Sequence, residues 1–176
     1  MKDFIGIQNK WYVIAAKAIH YRKAATILEN LGFSFYLPIQ RQLHYWSDRT
    51  KWIDVPILTP YIFLFTNEVE RKRLFQTSNS FHFLISGGKL ATAKEDEVEK
   101  VKLLCHYSTN IKIEKQPIKK GDQVQVVNGP FSGMNGYTLQ ENGRHRFLIQ
   151  IVSLGQFASV DIDSNWLRRA DKTLII

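Results

Sequence analysis

The segment of residues 57–65, Ile-Leu-Thr-Pro-Tyr-Ile-Phe-Leu-Phe, is the most hydrophobic in the chain and constrains the fold most. Pro60 cannot donate a ladder hydrogen bond, so it marks the start of a strand. A strand with one wet face would alternate apolar with polar residues. Here both faces are apolar, so either this chain covers both or a partner covers one. One face carries Tyr61, Phe63 and Phe65, and the other carries Ile62 and Leu64.

The residues before this segment show a strand period and then a helical one. Residues 11–16 form a continuous apolar run of the length expected for a buried central strand. Ala24, Ile27 or Leu28, and Leu31 follow at helical spacing, and Gly32 stands where a helix ends. These patterns predict a strand, a helix and a turn in that order.

From residue 33 onward the period changes to two, which predicts a second strand, followed by a basic hairpin over residues 40–54. Trp46 and Trp52 flank its polar turn, as cross-strand aromatic partners often do. A helix that ends near residue 106 follows Thr92, which we expect to cap it in a capping box. The order of elements predicts an α+β domain over residues 1–106, an antiparallel sheet flanked by helices.

The glycine-rich stretch of residues 119–137 predicts a second, all-β domain. Val124 and Val126 alternate with glutamines, so a short strand is apolar on one face. Glycine and proline at residues 128–130 end that strand, and Phe131 is a large apolar anchor just beyond the turn. Further strand patterns follow up to residue 162. We expect a small barrel over residues 118–176, joined by a polar linker of residues 107–117.

The formal net charge of +8, with a pI near 9.6, suggests an anionic partner, although a solvated basic surface with no specific partner is the alternative. A single cysteine, Cys105, excludes an internal disulfide and fits a reducing compartment. The sequence has no apolar run long enough for a bilayer and no signal-peptide pattern at its start. We expect a cytoplasmic protein without membrane contact.

No pattern in the sequence indicates catalysis, a cofactor or a metal site. The five histidines are isolated from one another, and no His, Cys, Asp and Glu spacing is typical of a metal site. Phosphate-loop and nucleophile-elbow motifs are absent. The spacing of Asp161 and Asp163 predicts a shared strand face, for which exposed acids on an edge strand are the commoner explanation. The prediction is therefore a binding protein rather than an enzyme.

The order of these features resembles the NusG family of transcription elongation factors over nearly the whole chain. The resemblance rests on Trp11-Tyr12-Val13, the aromatic hairpin of residues 46–52, the run of residues 55–63 and a glycine-rich unit that resembles the KOW motif. It implies an NGN-like N-terminal domain followed by an SH3-like KOW barrel. The KOW positions are Gly121, Asp122, Gly129, Pro130, Phe131, Gly133 and Gly136.

The resemblance implies an RNA polymerase partner. In this family an apolar depression of the N-terminal domain binds the clamp helices of the largest polymerase subunit, bridges the cleft and suppresses pausing. The matching positions are Leu58, Tyr61 and Phe63. The alternative is that Tyr61 and Phe63 are simply core, because strands buried on both faces are common.

The resemblance also implies contact with the non-template DNA strand. Specialised members that resemble RfaH make this contact through the first helix and its entry loop, where cations neutralise phosphates and rings stack on unpaired bases. The corresponding positions are Lys17, His20, Tyr21, Arg22 and Lys23, for which a solvated helix start is the alternative. A possible second polymerase contact falls on Arg71, Lys72 and Arg73.

Departures from the housekeeping pattern favour a specialised subtype. The chain has Thr59-Pro60-Tyr61 where general factors usually have Pro-Gly-Tyr, and residues 17–20 replace a small turn. Residues 46–56 resemble RfaH-like or UpxY-like antiterminators of surface and capsular polysaccharide operons. The KOW unit would recruit Rho or a ribosomal protein, and its β-branched strands argue against refolding into helices. We expect a monomer. The alternative function is a ribosome-associated RNA-binding KOW protein, which would not need Tyr61.

Overall fold

The computed structural model of the protein describes residues 8–16, 20–77, 80–115, 121–141 and 144–170. Its strands and helices confirm a mixed fold with antiparallel sheets. In chain order they are β1 (Lys10–Ala16), α1 (Tyr21–Asn30), β2 (Ser34–Tyr36), β3 (Ile39–Tyr45), β4 (Thr50–Pro56), β5 (Tyr61–Thr66), α2 (Glu68–Thr77), β6 (Phe81–Phe83), β7 (Ile85–Ser86), β8 (Lys89–Leu90), β9 (Thr92–Ala93), α3 (Glu95–Tyr107), β10 (Lys112–Glu114), β11 (Gln123–Val126), β12 (Asn135–Glu141), β13 (Arg144–Ile151), β14 (Gln156–Asp161) and β15 (Leu167–Arg169).

The chain divides into two units that are not simple halves of the sequence. One comprises residues 1–39 and 58–98, and the other comprises residues 40–57 and 99–176. The hairpin of β3 and β4 and most of α3 therefore group with the C-terminal sheet. The boundaries at residues 106 and 118 stay a prediction.

The first unit is built on a five-stranded sheet in the order β2-β5-β1-β6, with β9 also paired to β1. Ile14 lies opposite Ile62 across the antiparallel pair of β1 and β5. One face of the sheet packs against α1 and α2, because these apolar side chains leave water together. The cluster comprises Tyr12, Ile14, Ala16, Ala24, Leu28, Ile62, Leu64, Leu74, Phe81 and Phe83.

Helix α1 ends as its glycine predicts. Gly32 has φ of 73°, and its amide donates to the carbonyl of Glu29 at 2.9 Å while the amide of Phe33 donates to Leu28 at 3.0 Å. This is the Schellman pattern, in which a left-handed residue closes the last turn. Leu31 is 48% exposed, so its predicted place in the buried stripe is wrong. It is the C-cap, one position past the helix.

Thr92 does not cap α3. It lies in β9 and pairs with Tyr12 of β1, so its backbone is extended where a helix cap would have to begin a turn. Helix α3 begins at Glu95, and the amides of Glu97 and Val98 donate to the carbonyl of Lys94. Pairing with β1 therefore overrides the local capping signal.

The second unit holds a six-stranded antiparallel sheet in the order β10-β14-β13-β12-β11-β15. Part of the predicted linker is ordered, since α3 continues to Tyr107 and β10 pairs with β14 through Ile113 opposite Ala158. The strands predicted in this region are present, and closure of the sheet into a barrel stays a prediction. β3 and β4 form a separate two-stranded sheet.

Candidate functional site

The predicted polymerase-binding positions differ in exposure. Leu58 and Phe63 are 1% and 0% exposed, whereas Tyr61 is half-buried. The Tyr61 amide donates to the carbonyl of Leu58 at 2.7 Å, and the ring of Phe63 stacks on Tyr36 with 6.5 Å between centroids. The fold therefore buries Phe63 without a second protein. Of these positions, Tyr61 is the one that offers part of its side chain to solvent.

The register of β1 against β5 explains why Phe63 is inaccessible. Val13 lies opposite Phe63 on the central strand of the sheet, and both are fully buried. Tyr61 lies opposite Ala15 at the first residue of β5, where the chain enters from a turn closed by a cis Thr59–Pro60 peptide. A strand end is more accessible than its middle, so sequence alternation alone could not separate these two aromatic residues.

The start of α1 brings together the predicted DNA-contacting residues that the structure describes. His20 is the N-cap with no side-chain cap hydrogen bond, and Arg22 and Lys23 are exposed in the first turn, which has no acidic residue. The Arg22 Nε donates to the hydroxyl of Tyr21 at 3.0 Å, and its guanidinium lies 5.7 Å from the ring centroid. Lys17 lies outside the described residues.

This charge arrangement opposes the preference of an isolated helix. Helix N-termini carry partial positive charge and favour acidic side chains, each by about 0.3–1 kcal/mol. Two cations in the first turn of α1 add to the partial positive charge of a helix start. The result is a concentrated anion-attracting point, which phosphate groups would complement.

The three cations of α2 do not share one environment. Arg71 is 15% exposed in its side chain and donates to both carboxylate oxygens of Glu68, at 2.9 and 2.5 Å. Its guanidinium also lies 5.9 Å from the ring centroid of Tyr12 and 5.4 Å from that of Phe83. Arg71 thus fastens α2 to the sheet, which the sequence did not indicate.

The electrostatics of this cluster follow from the same contacts. The hydrogen bond from Arg71 holds the pKa of Glu68 below its ordinary value and raises the pKa of Arg71. Burial, followed by the charge of Glu68, raises the pKa of Tyr12. Lys72 and Arg73 remain largely exposed, with Glu68 and Glu70 as ion-pair partners at 3.9 and 3.0 Å. A polymerase contact by α2 stays a prediction, and Lys72 and Arg73 are its accessible members.

The KOW positions mainly shape the turn between β11 and β12. Gly133 has φ of 86° and donates its amide to Val126 at 2.8 Å, while Phe131 is buried. A Cβ at Gly129 would collide with the Trp166 ring, and one at Gly136 with the Leu148 carbonyl.

The remaining KOW positions are also tied to the C-terminal sheet. Asp122 accepts two hydrogen bonds from Arg169, at 2.7 and 3.1 Å. A Cβ at Gly121 would collide with Thr138, and Pro130 is exposed in the turn. These residues build the fold rather than an open pocket.

Arg146 is a buried cation that the sequence analysis did not single out. It is 2% exposed in the middle of the C-terminal sheet and donates to Asp161 at 2.6 Å and to the carbonyl of Asn110 at 3.0 Å. It also donates to the carbonyl and hydroxyl of Ser159, at 2.7 and 3.1 Å. Arg146 directly precedes the apolar residues 147–149, and the strand period places it on the same face as the buried Leu148, which is the signal that could have found it.

Among the described residues, no group of three or more His, Cys, Asp and Glu side chains could hold a metal ion. None of the described helices has the length and apolar character that crossing a membrane requires.

Comparison with known proteins gives two results. Residues 9–102, more than half of the chain, match the NusG family model, described as transcription termination factor NusG. The chain is also similar to a solved structure described as "Domain interaction in Thermotoga maritima NusG", with a TM-score of 0.57 and 16% identity over 93% of this chain and 98% of that one. At this identity the structural likeness supports the fold alone.

Proposed function

Because this chain belongs to the NusG family of transcription factors, we propose that it binds the RNA polymerase clamp helices and the non-template DNA strand to suppress pausing or termination. The observation that carries the proposal is the family match over residues 9–102, which spans both β5 and the start of α1. In this proposal the protein acts by bridging and strand contact, without catalysis.

Tyr61 is the proposed centre of the polymerase contact. Its ring combines a large apolar surface with a polar hydroxyl, which is typical of residues that dominate protein interfaces. Leu58 and Phe63 are buried, and the carbonyl of Leu58 accepts a hydrogen bond from the Tyr61 amide, so this proposal leaves the contact with the partner to Tyr61. The exposed Lys72 and Arg73 are proposed as a second polymerase contact.

The first turn of α1 is the proposed DNA contact. Arg22 and Lys23 would neutralise phosphates, and His20 and Tyr21 would offer ring faces to unpaired bases. Lys17 is included on the family resemblance.

Specialisation for polysaccharide operons is the finer part of the proposal. It rests on Thr59-Pro60-Tyr61 and on residues 17–20, where the sequence departs from that of general factors. The C-terminal sheet is proposed to recruit Rho or a ribosomal protein. A cytoplasmic monomer completes the proposal.

The test is binding of the purified full chain to RNA polymerase and to an isolated clamp-helix fragment. We expect Tyr61→Ala to lose both interactions and Tyr61→Phe to keep them. Val152→Ala, which shortens a 69% exposed side chain outside the proposed contact, is the matched control. Wild-type protein that binds neither target would refute the polymerase partner and make ribosomal RNA the next one to test.

A second arm separates DNA contact from polymerase binding. The triple variant Lys17→Ala/Arg22→Ala/Lys23→Ala should still bind polymerase but fail to act at a pause with an exposed non-template strand. The charge-matched control is Lys89→Ala/Lys94→Ala/Arg168→Ala, which removes three exposed cations elsewhere. Equal loss of pause suppression in both triple variants would attribute the effect to net charge and not to α1.

A further inference from the structure

The hairpin of β3 and β4 exposes an unusual amount of aromatic surface. Tyr45, Trp46 and Trp52 are 72%, 41% and 53% exposed, and Leu43 beside them is 37% exposed. Among the described residues, the two exposed tryptophans both lie on this hairpin. Rings left in water lose the free energy that their burial would contribute. A cluster of exposed rings on a two-stranded sheet is therefore typical of a binding surface.

Cations are stacked on these rings. The guanidinium of Arg41 lies 5.5 Å from the ring centroid of Trp52, and that of Arg49 lies 5.7 Å from that of Trp46. The Trp46 ring also packs against His44, with 4.3 Å between centroids. Each tryptophan thus has its own cationic or imidazole neighbour. The expected cross-strand pairing of Trp46 with Trp52 is replaced by these contacts, because Trp46 lies in the turn, where its amide donates to Arg49 at 2.8 Å.

The alternation of β3 places Arg41, Leu43 and Tyr45 on one face, and the contact of Arg41 with Trp52 adds β4 to it. We call these four residues the aromatic face. Within the described part of the chain, Arg41, Arg49 and Lys51 make no ion pair with an acidic side chain. The hairpin also carries Asp48 and Asp54, and it presents its exposed rings beside these three cations.

We propose that the aromatic face binds unpaired bases of a single DNA strand, with Trp52 and Tyr45 as stacking surfaces and Arg41 as a phosphate contact. Single-strand sites combine aromatic platforms with cations that follow the backbone. The chain as a whole carries +8, which complements a polyanion. Rings and a guanidinium can bind the bases and phosphates of DNA or RNA, so a matched RNA is included in the test. This site is separate from the α1 contact proposed above and does not depend on it.

The experiment measures binding of an oligo(dT) of about 12 nucleotides, a length suited to single-strand sites. Fluorescence anisotropy reports affinity, and quenching of tryptophan emission reports stacking. We run every variant in the Lys17→Ala/Arg22→Ala/Lys23→Ala background, so the α1 contact cannot supply the signal. Failure of the α1 proposal and failure of this one are thereby distinguished.

Trp52→Ala should weaken binding by about tenfold, since base stacking on an aromatic ring contributes strongly to single-strand affinity. Trp52→Phe keeps a ring and should stay within about threefold of the parent. Phe75→Ala removes a 61% exposed ring on α2 and is the control for Trp52→Ala. Arg41→Ala removes the proposed phosphate contact and should also weaken binding, and Arg168→Ala, which removes an exposed cation elsewhere, is its control. Thermal unfolding of each variant verifies that it is folded.

Three outcomes would overturn the proposal. The first is an oligo(dT) affinity, and a quenching of tryptophan emission by oligo(dT), that are both unchanged by Trp52→Ala. The second is an equal loss from Phe75→Ala, which would indicate non-specific association. The third is RNA of matching length that binds more than about threefold tighter than DNA, which would reassign the face to a ribose-reading partner.

Discussion

The guanidinium of Arg146 lies 2.6 Å from Oδ1 of Asp161, and the Arg146 side chain is 3% exposed whereas that of Asp161 is 40% exposed. The arginine of this pair is thus buried, whereas the aspartate reaches solvent. The same guanidinium donates to the carbonyl of Asn110, in the region expected to be a linker. One buried cation therefore joins β13, β14 and the segment that leads into β10.

Arg146→Ala should lower the free energy of unfolding by about 2–3 kcal/mol, because it leaves the buried acceptors without donors and breaks a partly buried pair. Urea denaturation measures the loss. Arg146→Lys keeps the charge with fewer hydrogen-bond donors, so its free energy of unfolding should lie between those of the wild type and Arg146→Ala. Arg168→Ala, an exposed arginine in the same sheet, is the control. A loss no larger than that of the control would contradict the role given to Arg146.

Gly136→Ala should destabilise by about 1–3 kcal/mol, the usual cost of overpacking. The added methyl group would meet the Leu148 carbonyl and the Phe147 ring across the pair of β12 and β13. Gly133→Ala provides the comparison, since its φ of 86° is strained for alanine but nothing lies within 4 Å of the new methyl. It should cost about 1–2 kcal/mol. Gly133→Asn should recover part of that loss whereas Gly136→Asn should not.

Stability should fall at acid pH partly through Glu68. Its pKa is lowered in the folded protein by the hydrogen bond from Arg71, so the unfolded chain binds the proton more readily. The stabilisation from Glu68 is fully present above its unfolded pKa near 4.5. It is lost as pH falls through that pKa and then through the lower pKa of the folded protein. Urea midpoints measured from neutral to acid pH should decline less steeply in Glu68→Gln. An unchanged slope would mean that Glu68 is not a linked group.

The first turn of α1 should trade stability for binding. Lys23→Glu places an acid where the helix dipole favours one, so it should raise the free energy of unfolding by about 0.3–1 kcal/mol. The same change should weaken single-strand DNA binding, since it reverses a proposed phosphate contact. Chemical denaturation and anisotropy at two salt concentrations measure the two effects. Lys23→Glu protein that is more stable and binds DNA unchanged would remove Lys23 from the DNA site.

Much of the fold could be predicted because the deciding signals are local. The apolar run of β1, the glycine that ends α1 and the alternation of β11 each depend on neighbours a few residues away. Thr92 shows where this fails, because a capping signal was overridden when β9 paired with β1, some 80 residues distant in sequence.

The candidate site was predicted as a set of positions and not as a surface. Tyr61 and Phe63 are both aromatic and lie at the same strand period, and only the register of β5 against β1 makes one half-buried and the other inaccessible. Arg71, Lys72 and Arg73 are likewise adjacent in sequence, yet one of them packs on Tyr12 and Phe83 while the others face water.

The sequence by itself determined the element types, the family resemblance and the basic character of the chain, because periodicity, glycine placement and charge are properties of short segments. Only the tertiary structure decided which side chains of those segments reach solvent. Burial depends on strand register and on contacts between residues far apart in the chain. Arg146 and Trp52 illustrate the two outcomes. The cation of Arg146 is buried among acceptors from distant residues, whereas the ring of Trp52 contacts Arg41 and stays half exposed.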